Sequence, residues 1–343
     1  MLVIGVVGPF YDDSFADNIA CGIEDLGHTA VRLAGGRPER FVFSRVAGLA
    51  GQAMLRTSAG RSILQSRPLL KAIGEQELDA VIVVEQLNPD LVEAVRQRVP
   101  QIAFWFPDAV SNLGRQTMFQ ASYSAVFTKE PRLAEPAHQL VGLPVHYLAE
   151  ACNPRWHRVH DVGDPDPHIV VVGNYYPYRI RLLERMHRAG LPLRLYGSRF
   201  PSWMPSPELD SSNTGCYAVR EVKARAFRSA AAVFNAVHPA EIDGLNCRLF
   251  EATACGGTVL TEAKATLDAC FDPETEVIVF ADFDDLVDKA RWCLAHPAEA
   301  RAIGDKAAAR ALADHTYGHR LREIFEVLGL SDSVDVPDRP PDA

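Results

Sequence analysis

Between residues 241 and 262 the chain reads EIDGLNCRLFEATACGGTVLTE, and several of its side chains suit one kind of ligand. Asn246 stands directly before a helical pattern that runs from Cys247 to about Cys255. Its side chain can accept from the first free N–H groups, as an N-cap does. A helix start of this kind is an anion site, because its N–H groups and dipole favour negative charge. Arg248 falls in the first turn, where its guanidinium can grip a phosphate with two bonds. Glu251 falls one turn later on the same face. A carboxylate there cannot help to hold phosphate, but it can accept two hydroxyls from a ribose. The group fits a nucleoside diphosphate with its sugar. The same residues also make an ordinary structural unit: a capping Asn, an Arg248–Glu251 surface pair, and a glycine stop at Gly256 and Gly257. Spacing alone leaves both readings open.

The elements that would position these residues are strands alternating with helices. LVIGVVG (2–8), TAVRL (29–33), LDAVIVV (78–84), QIAFWF (101–106) and YSAVFT (123–128) read as strands. Their continuous apolar character predicts burial on both faces, as in parallel sheets. A helix is expected from Ser14 to Leu26, ended by Gly27. The break DVGDPDP (161–167) reads as a linker, and the pattern then restarts. HIVVVGN (168–174), PLRLYG (192–197), AAAVFNAV (230–237), TVLT (258–261) and VIVFAD (277–282) are the strands of a second half. Helices are expected at 179–189, 298–313 and 317–328. The tail 331–343 is polar and proline-rich and reads as disordered. The fold class is therefore α/β, with two Rossmann-like parallel-sheet domains, at 1–160 and 161–315, facing a central cleft. Ligands of such sheets bind at the carboxyl ends of the strands.

Composition narrows the function. The 343 residues carry 35 Lys and Arg against 44 Asp and Glu, a formal charge of −9, which argues against a general nucleic-acid binder. No apolar run reaches the length of a membrane span, and MLVIGVVGPFYDD reads as a first strand rather than a signal peptide. The seven Cys are scattered and form no CxxC pair, which points to reduced thiols in a cytoplasmic protein without zinc or disulfides. No metal or other cofactor is expected: DDSFAD (12–17) and ADFDDL (281–286) read as caps and solvated turns. No G-x-G-x-x-G follows strand 2–8 or 168–174, which disfavours a Rossmann dehydrogenase.

DGLNCRLFEATACGGTVLTE, with FDPETEVIVFADFDDLVDKARWCLAHPAEARAIG and HTYGHRLREI behind it, resembles the C-terminal domain of CgeB-type glycosyltransferases, part of the group-1 glycosyltransferases of GT-B fold. The resemblance extends upstream to VVGNYYPYRIRLLERM (171–186) and FNAVHPAEIDGLN (234–246), and more loosely to FWFPDAV (104–110) and VHYLAEACNP (145–154). It implies a nucleotide-sugar donor as co-substrate. The group carries two acidic residues separated by seven others. Glu251 matches the second, which holds the ribose. Asp243 stands where the first contacts the donor sugar, and is one methylene shorter than the group's Glu. Gly173 and Asn174 would lie against the diphosphate, with Arg179 adding positive charge. His238 would lie near the donor, and Arg248 matches the group's N-x-R-x-F-E. The segment 316–330 would cross back to the first domain.

Transfer from such a donor needs a stabilised departing diphosphate, which arginines and a helix dipole supply without metal. An inverting enzyme also needs a base from the first half. Asp12, Asp13, Glu85 and Asp108 are the candidates at strand ends, although Asp12 and Asp13 could simply cap the following helix. A retaining enzyme can let the leaving phosphate take the proton, and the resemblance favours retention. The acceptor would be set by first-half loops such as 35–70. Trp105 and Phe106 fit core packing better than stacking on an acceptor, and RSILQSRPLLK (61–71) reads as a solvated helix face. Two other readings keep the same architecture: a non-catalytic GT-B-like binding protein, and a nucleotide-sugar epimerase.

Overall fold

The computed structural model describes residues 1–34, 66–112, 114–163 and 165–330. The tail 331–343, most of the segment 35–70 and the first part of the basic run 61–71 lie outside the described residues.

The apolar runs of the first half become β1 (Val3–Gly8), β2 (Thr29–Ala34), β3 (Ala80–Val83), β4 (Gln101–Phe106), β5 (Ala125–Thr128) and β6 (Val145–Tyr147). They form a parallel sheet in the order β2-β1-β3-β4-β5-β6. All four residues of β3 and of β5 are buried, because helices cover both faces. α1 (Phe15–Asp25) begins at Ser14, whose Oγ accepts the Asp17 N–H at 3.1 Å. α2 (Arg67–Gly74) turns Leu69 and Ile73 inward and so is a packed helix at the end of the basic run. α3 (Pro89–Arg96) and α4 (Pro131–Gln139) follow β3 and β5.

The second half repeats the plan with β7 (Asp166–Val172), β8 (Leu193–Tyr196), β9 (Ala230–Asn235), β10 (Val259–Glu262) and β11 (Ile278–Phe280). Their order is β11-β10-β9-β7-β8, again parallel. α5 (Pro177–Arg188) follows β7, and α6 (Arg220–Ser229) leads into β9. α7 (Cys247–Ala254) ends in a Schellman motif, with Gly256 N–H to Thr253 O at 2.8 Å and Gly257 N–H to Ala252 O at 3.0 Å. Gly256 has φ +72°, which explains the first glycine of the pair. α8 (Phe283–Ala295) and α9 (Pro297–Asp314) complete the layer.

The last helix, α10 (Tyr317–Val327), leaves the second half. Its Tyr317, Leu321, Ile324 and Phe325 join Ile4, Ile19, Ile23 and Trp105 in one first-half core. Trp105 packs edge-on against Phe15, ring centroids 4.9 Å apart, and is fully buried core. Where the chain returns, Cys152 and Thr316 form a parallel bridge, with Cys152 N–H to His315 O at 2.9 Å and Tyr317 N–H to Cys152 O at 3.0 Å.

Candidate active site between two sheets

Each sheet reverses its strand order once, between β1 and β3 in the first half and between β7 and β9 in the second. Such switch points are where open α/β sheets bind ligands. At the first lies a cavity of about 660 Å³, within the usual range for small-molecule sites. Tyr11, Ser14, Glu85, Asn88, Asp108 and Asn112 bring polar groups to it, and Phe15, Leu91 and Phe106 bring apolar walls. Asp108 is exposed and already oriented: its Oδ2 accepts from Asn112 Nδ2 at 2.7 Å, and its Oδ1 from the Ala109 N–H at 2.8 Å.

At the second switch point two guanidinium groups converge. Arg179 is buried and spans the gap between β7 and β9, donating from Nη1 to Asn174 O at 2.6 Å and from Nη2 to Ala236 O at 2.9 Å. Its charge also lies over the Tyr176 ring, 4.7 Å from the centroid. Arg248 reaches from the first turn of α7 to the same place. A Cβ on Gly173 would fall 2.3 Å from Arg248 Nη2 and 3.3 Å from Arg179 Nη1, so the pair lies directly over this glycine. Gly173 also has φ +125°. Among the described residues neither guanidinium has a carboxylate within ion-pair distance. Burial, and then Arg248, pull the Arg179 pKa down to about 10. Among the described residues, two cations thus stand together with no anionic side chain paired to either.

A third cation, Lys223 on α6, is treated in the opposite way. Its Nζ bonds Asp13 Oδ2 at 2.6 Å and Glu251 Oε2 at 2.9 Å, and all three side chains are buried. Asp13 Oδ2 takes the Arg220 N–H at 2.9 Å as well, while Oδ1 accepts from Trp156 Nε1 and Asn18 Nδ2, both at 3.1 Å. His157 faces Oδ1 with Nε2 at 3.3 Å and accepts the Asn153 N–H at Nδ1. Burial raises the Asp13 carboxyl, but His157 and Lys223 outweigh it and hold it well below the usual carboxylate range. Burial opposes the Lys223 charge, yet Glu251 and Asp13 hold its pKa above the usual lysine value. Donor atoms of Asp13, His157 and Glu251 lie within 4.8 Å of one another, and the Lys223 ammonium supplies a positive charge at that group.

The expected site residues therefore separate. Gly173, Asn174, Arg179 and Arg248 come together. Asn246 caps α7, accepting the Leu249 N–H at 3.1 Å. His238 accepts the Ala240 N–H at Nδ1 and packs on Tyr176 at 4.8 Å, beside the arginine pair. Arg248 and Glu251 do not pair: one turns to Gly173 and the other to Lys223. Asp13 leaves the group of acceptor-side carboxylates, since its oxygens are taken up within the junction of the two halves. Ser14, not Asp12 or Asp13, caps α1. Asp243 bonds Arg132 Nε at 2.5 Å, across the cleft. Sequence reasoning missed Lys129, Glu130, Glu150 and Lys223. For the first two a signal exists, because TKEPR places three charges at a strand's carboxyl end, where loops carry chemistry. Glu150 is 1% exposed with neither oxygen hydrogen-bonded. Burial pushes its pKa up to about 8, with Lys129 opposing and Glu241 and Glu251 adding to the rise.

Comparison with known proteins matches this geometry at the level of fold. The sucrose-phosphate synthase of Thermosynechococcus elongatus superposes with a TM-score of 0.66 at 14% identity, over 96% of this chain and 99% of that one. An α-glucosyltransferase solved with UDP and a 13-mer DNA gives 0.64 at 12% identity, over 96% and 99%. Anabaena HepE, solved with UDP-glucose, gives 0.62 at 13% identity, over 96% and 100%. The fold is GT-B. In its second GT-B domain and the helix that follows, residues 179–326 match the model of a family described as glycosyl transferase-like. No curated protein sequence matches the chain. The matched domain and the GT-B frame together support glycosyl transfer as the activity. No helix among the described residues is long and apolar enough to cross a membrane.

Proposed function

We propose that the protein is a CgeB-type glycosyltransferase that moves a sugar from a nucleotide-diphosphate sugar to a hydroxyl of an acceptor seated in the first-half cavity. The observation that carries this reading is the arginine pair at Gly173. Two guanidinium groups, one buried, stand together beside the positive end of α7, and among the described residues no carboxylate pairs with either. A diphosphate supplies the missing charge, and the same groups then stabilise it as it departs. That chemistry calls for no metal ion. HepE and the α-glucosyltransferase, which share the fold, were solved with UDP-glucose and UDP. Glu251, paired with Lys223, accepts the ribose hydroxyls in this reading, and Asp243 meets the sugar. Asp108 and Glu85 line the acceptor side, where they orient the incoming hydroxyl. In this reading the departing phosphate takes the acceptor's proton, as in the retaining enzymes that the sequence resembles. The reaction belongs to the cytoplasm, where nucleotide sugars are available to an enzyme with reduced thiols.

Calorimetric titration with UDP, GDP and dTDP tests this. One of them binds the wild type, and Arg248→Ala weakens it by about tenfold or more, the value of one charge-assisted contact. If no nucleoside diphosphate binds at millimolar concentration, the reading fails.

A further inference from the structure

Three consecutive backbone N–H groups, those of Ile242, Asp243 and Gly244, converge on one oxygen, Glu130 Oε2, at 3.2, 2.9 and 3.2 Å. A run of N–H groups aimed at one point is an anion-binding concavity. Its occupant belongs to the other half of the molecule. Glu130 follows β5 of the first sheet and is 3% exposed. Its second oxygen accepts the Arg132 N–H at 3.2 Å, which fixes the carboxylate on its own side. Two ion pairs flank the contact: Lys129 Nζ to Glu241 Oε1 at 3.3 Å, and Arg132 Nε to Asp243 Oδ2 at 2.5 Å. The backbones are also in close contact, since a Cβ on Gly244 would lie 2.7 Å from Lys129 O.

The loop that carries Asp243 is thus shaped from across the cleft. Asp243 stands where a longer Glu is expected, so its reach to a donor sugar depends on where the backbone is held. We propose that Glu130 is a positioning residue for the donor sugar, setting the 242–244 backbone by filling its ring of N–H groups. This rests on the glycosyl-transfer reading and adds a first-half residue to the donor site. The bonds involved are charge-assisted and shielded in part from solvent, which makes them strong and short-ranged. Arg179 lies on another helix, and Arg248, in the first turn of α7 just after this loop, turns its guanidinium away to Gly173; Glu130 bonds to neither. Holding the diphosphate and placing the sugar are therefore separable functions.

The separation is the basis of the test. Calorimetry first identifies which of UDP, GDP and dTDP the wild type binds. Hydrolysis of the corresponding glucose, galactose and mannose conjugates, with water as acceptor, then gives kcat/KM. Glu130→Ala is expected to keep the nucleoside-diphosphate Kd within about twofold and to lose about 100-fold in kcat/KM, the effect of a misplaced contact of about 1 Å. Formate, which can enter the emptied ring of N–H groups, restores part of that loss. Glu130→Gln keeps an accepting oxygen without the charge, so its kcat/KM falls less, by about fivefold or more. It also carries the test if the alanine variant does not fold. Parallel losses in diphosphate affinity and turnover, no recovery with formate, or a glutamine variant equal to wild type would each overturn the proposal. A wild type that binds no nucleoside diphosphate or hydrolyses no conjugate counts instead against glycosyl transfer itself.

Discussion

Lys223, at the junction of the two halves, and the Arg179–Arg248 pair, at the second switch point, are cations that the protein treats in opposite ways. Lys223 is enclosed by Asp13 and Glu251, one carboxylate from each half. The arginines are brought together over Gly173; Arg179 is given backbone carbonyls and an aromatic ring, and among the described residues neither arginine is given a carboxylate. A buried charge costs several kcal/mol unless it is paired. Where the chain supplies the partner, the charge joins parts of the fold. Where it withholds one, the charge is left for the diphosphate of the proposed reaction.

That contrast can be broken most strongly at Lys223. Lys223→Met removes the cation and leaves two buried carboxylates facing each other. We expect a loss of about 3–5 kcal/mol in denaturant unfolding, as for other broken buried pairs. A loss below about 1 kcal/mol would mean that the junction is not held by charge. The next effect concerns Glu150, whose folded pKa is raised from 4.5 to about 8. Between those values the unfolded chain gives up its proton first, so stability falls as pH rises through the window. Glu150→Gln should flatten that slope and gain on the order of a few kcal/mol at the alkaline end. Unfolding curves from pH 4 to pH 9 read the difference, and parallel curves would refute it. The smallest effect is expected at Arg248. Arg248→Ala leaves no carboxylate unpaired and relieves Arg179, so stability should change by no more than about 0.5 kcal/mol while diphosphate binding weakens. A Tm drop comparable with that of Lys223→Met would erase the distinction between the two kinds of cation.

Most of the fold is legible in the sequence because strands buried on both faces leave unbroken apolar runs. QIAFWF and HIVVV need no long-range information to be read. The helices that escaped have polar exposed faces: REVKARAFRS looks solvated throughout, although Lys223, Ala224, Ala226 and Phe227 are buried. The second-half part of the candidate site was legible where neighbours in sequence cooperate, as with Asn246 capping its own helix. It was not legible where partners are remote. Nothing near Asp13 announces Lys223, 210 positions later, and nothing near Asp243 announces Glu130 and Arg132. Arg248 and Glu251 look like partners by spacing, yet tertiary contacts draw them apart.

The bridge between Cys152 and Thr316 has a consequence for how this chain can be divided. The polypeptide passes between the two sheets twice, and the two passages run side by side, hydrogen-bonded to each other. α10 then closes the apolar face that α1 leaves open. No single cut yields two complete domains: a fragment ending near residue 160 lacks α10, and the remainder carries it without the surface it covers. The first domain is finished by the last helix described, so on the ribosome it must wait for the second domain to be made.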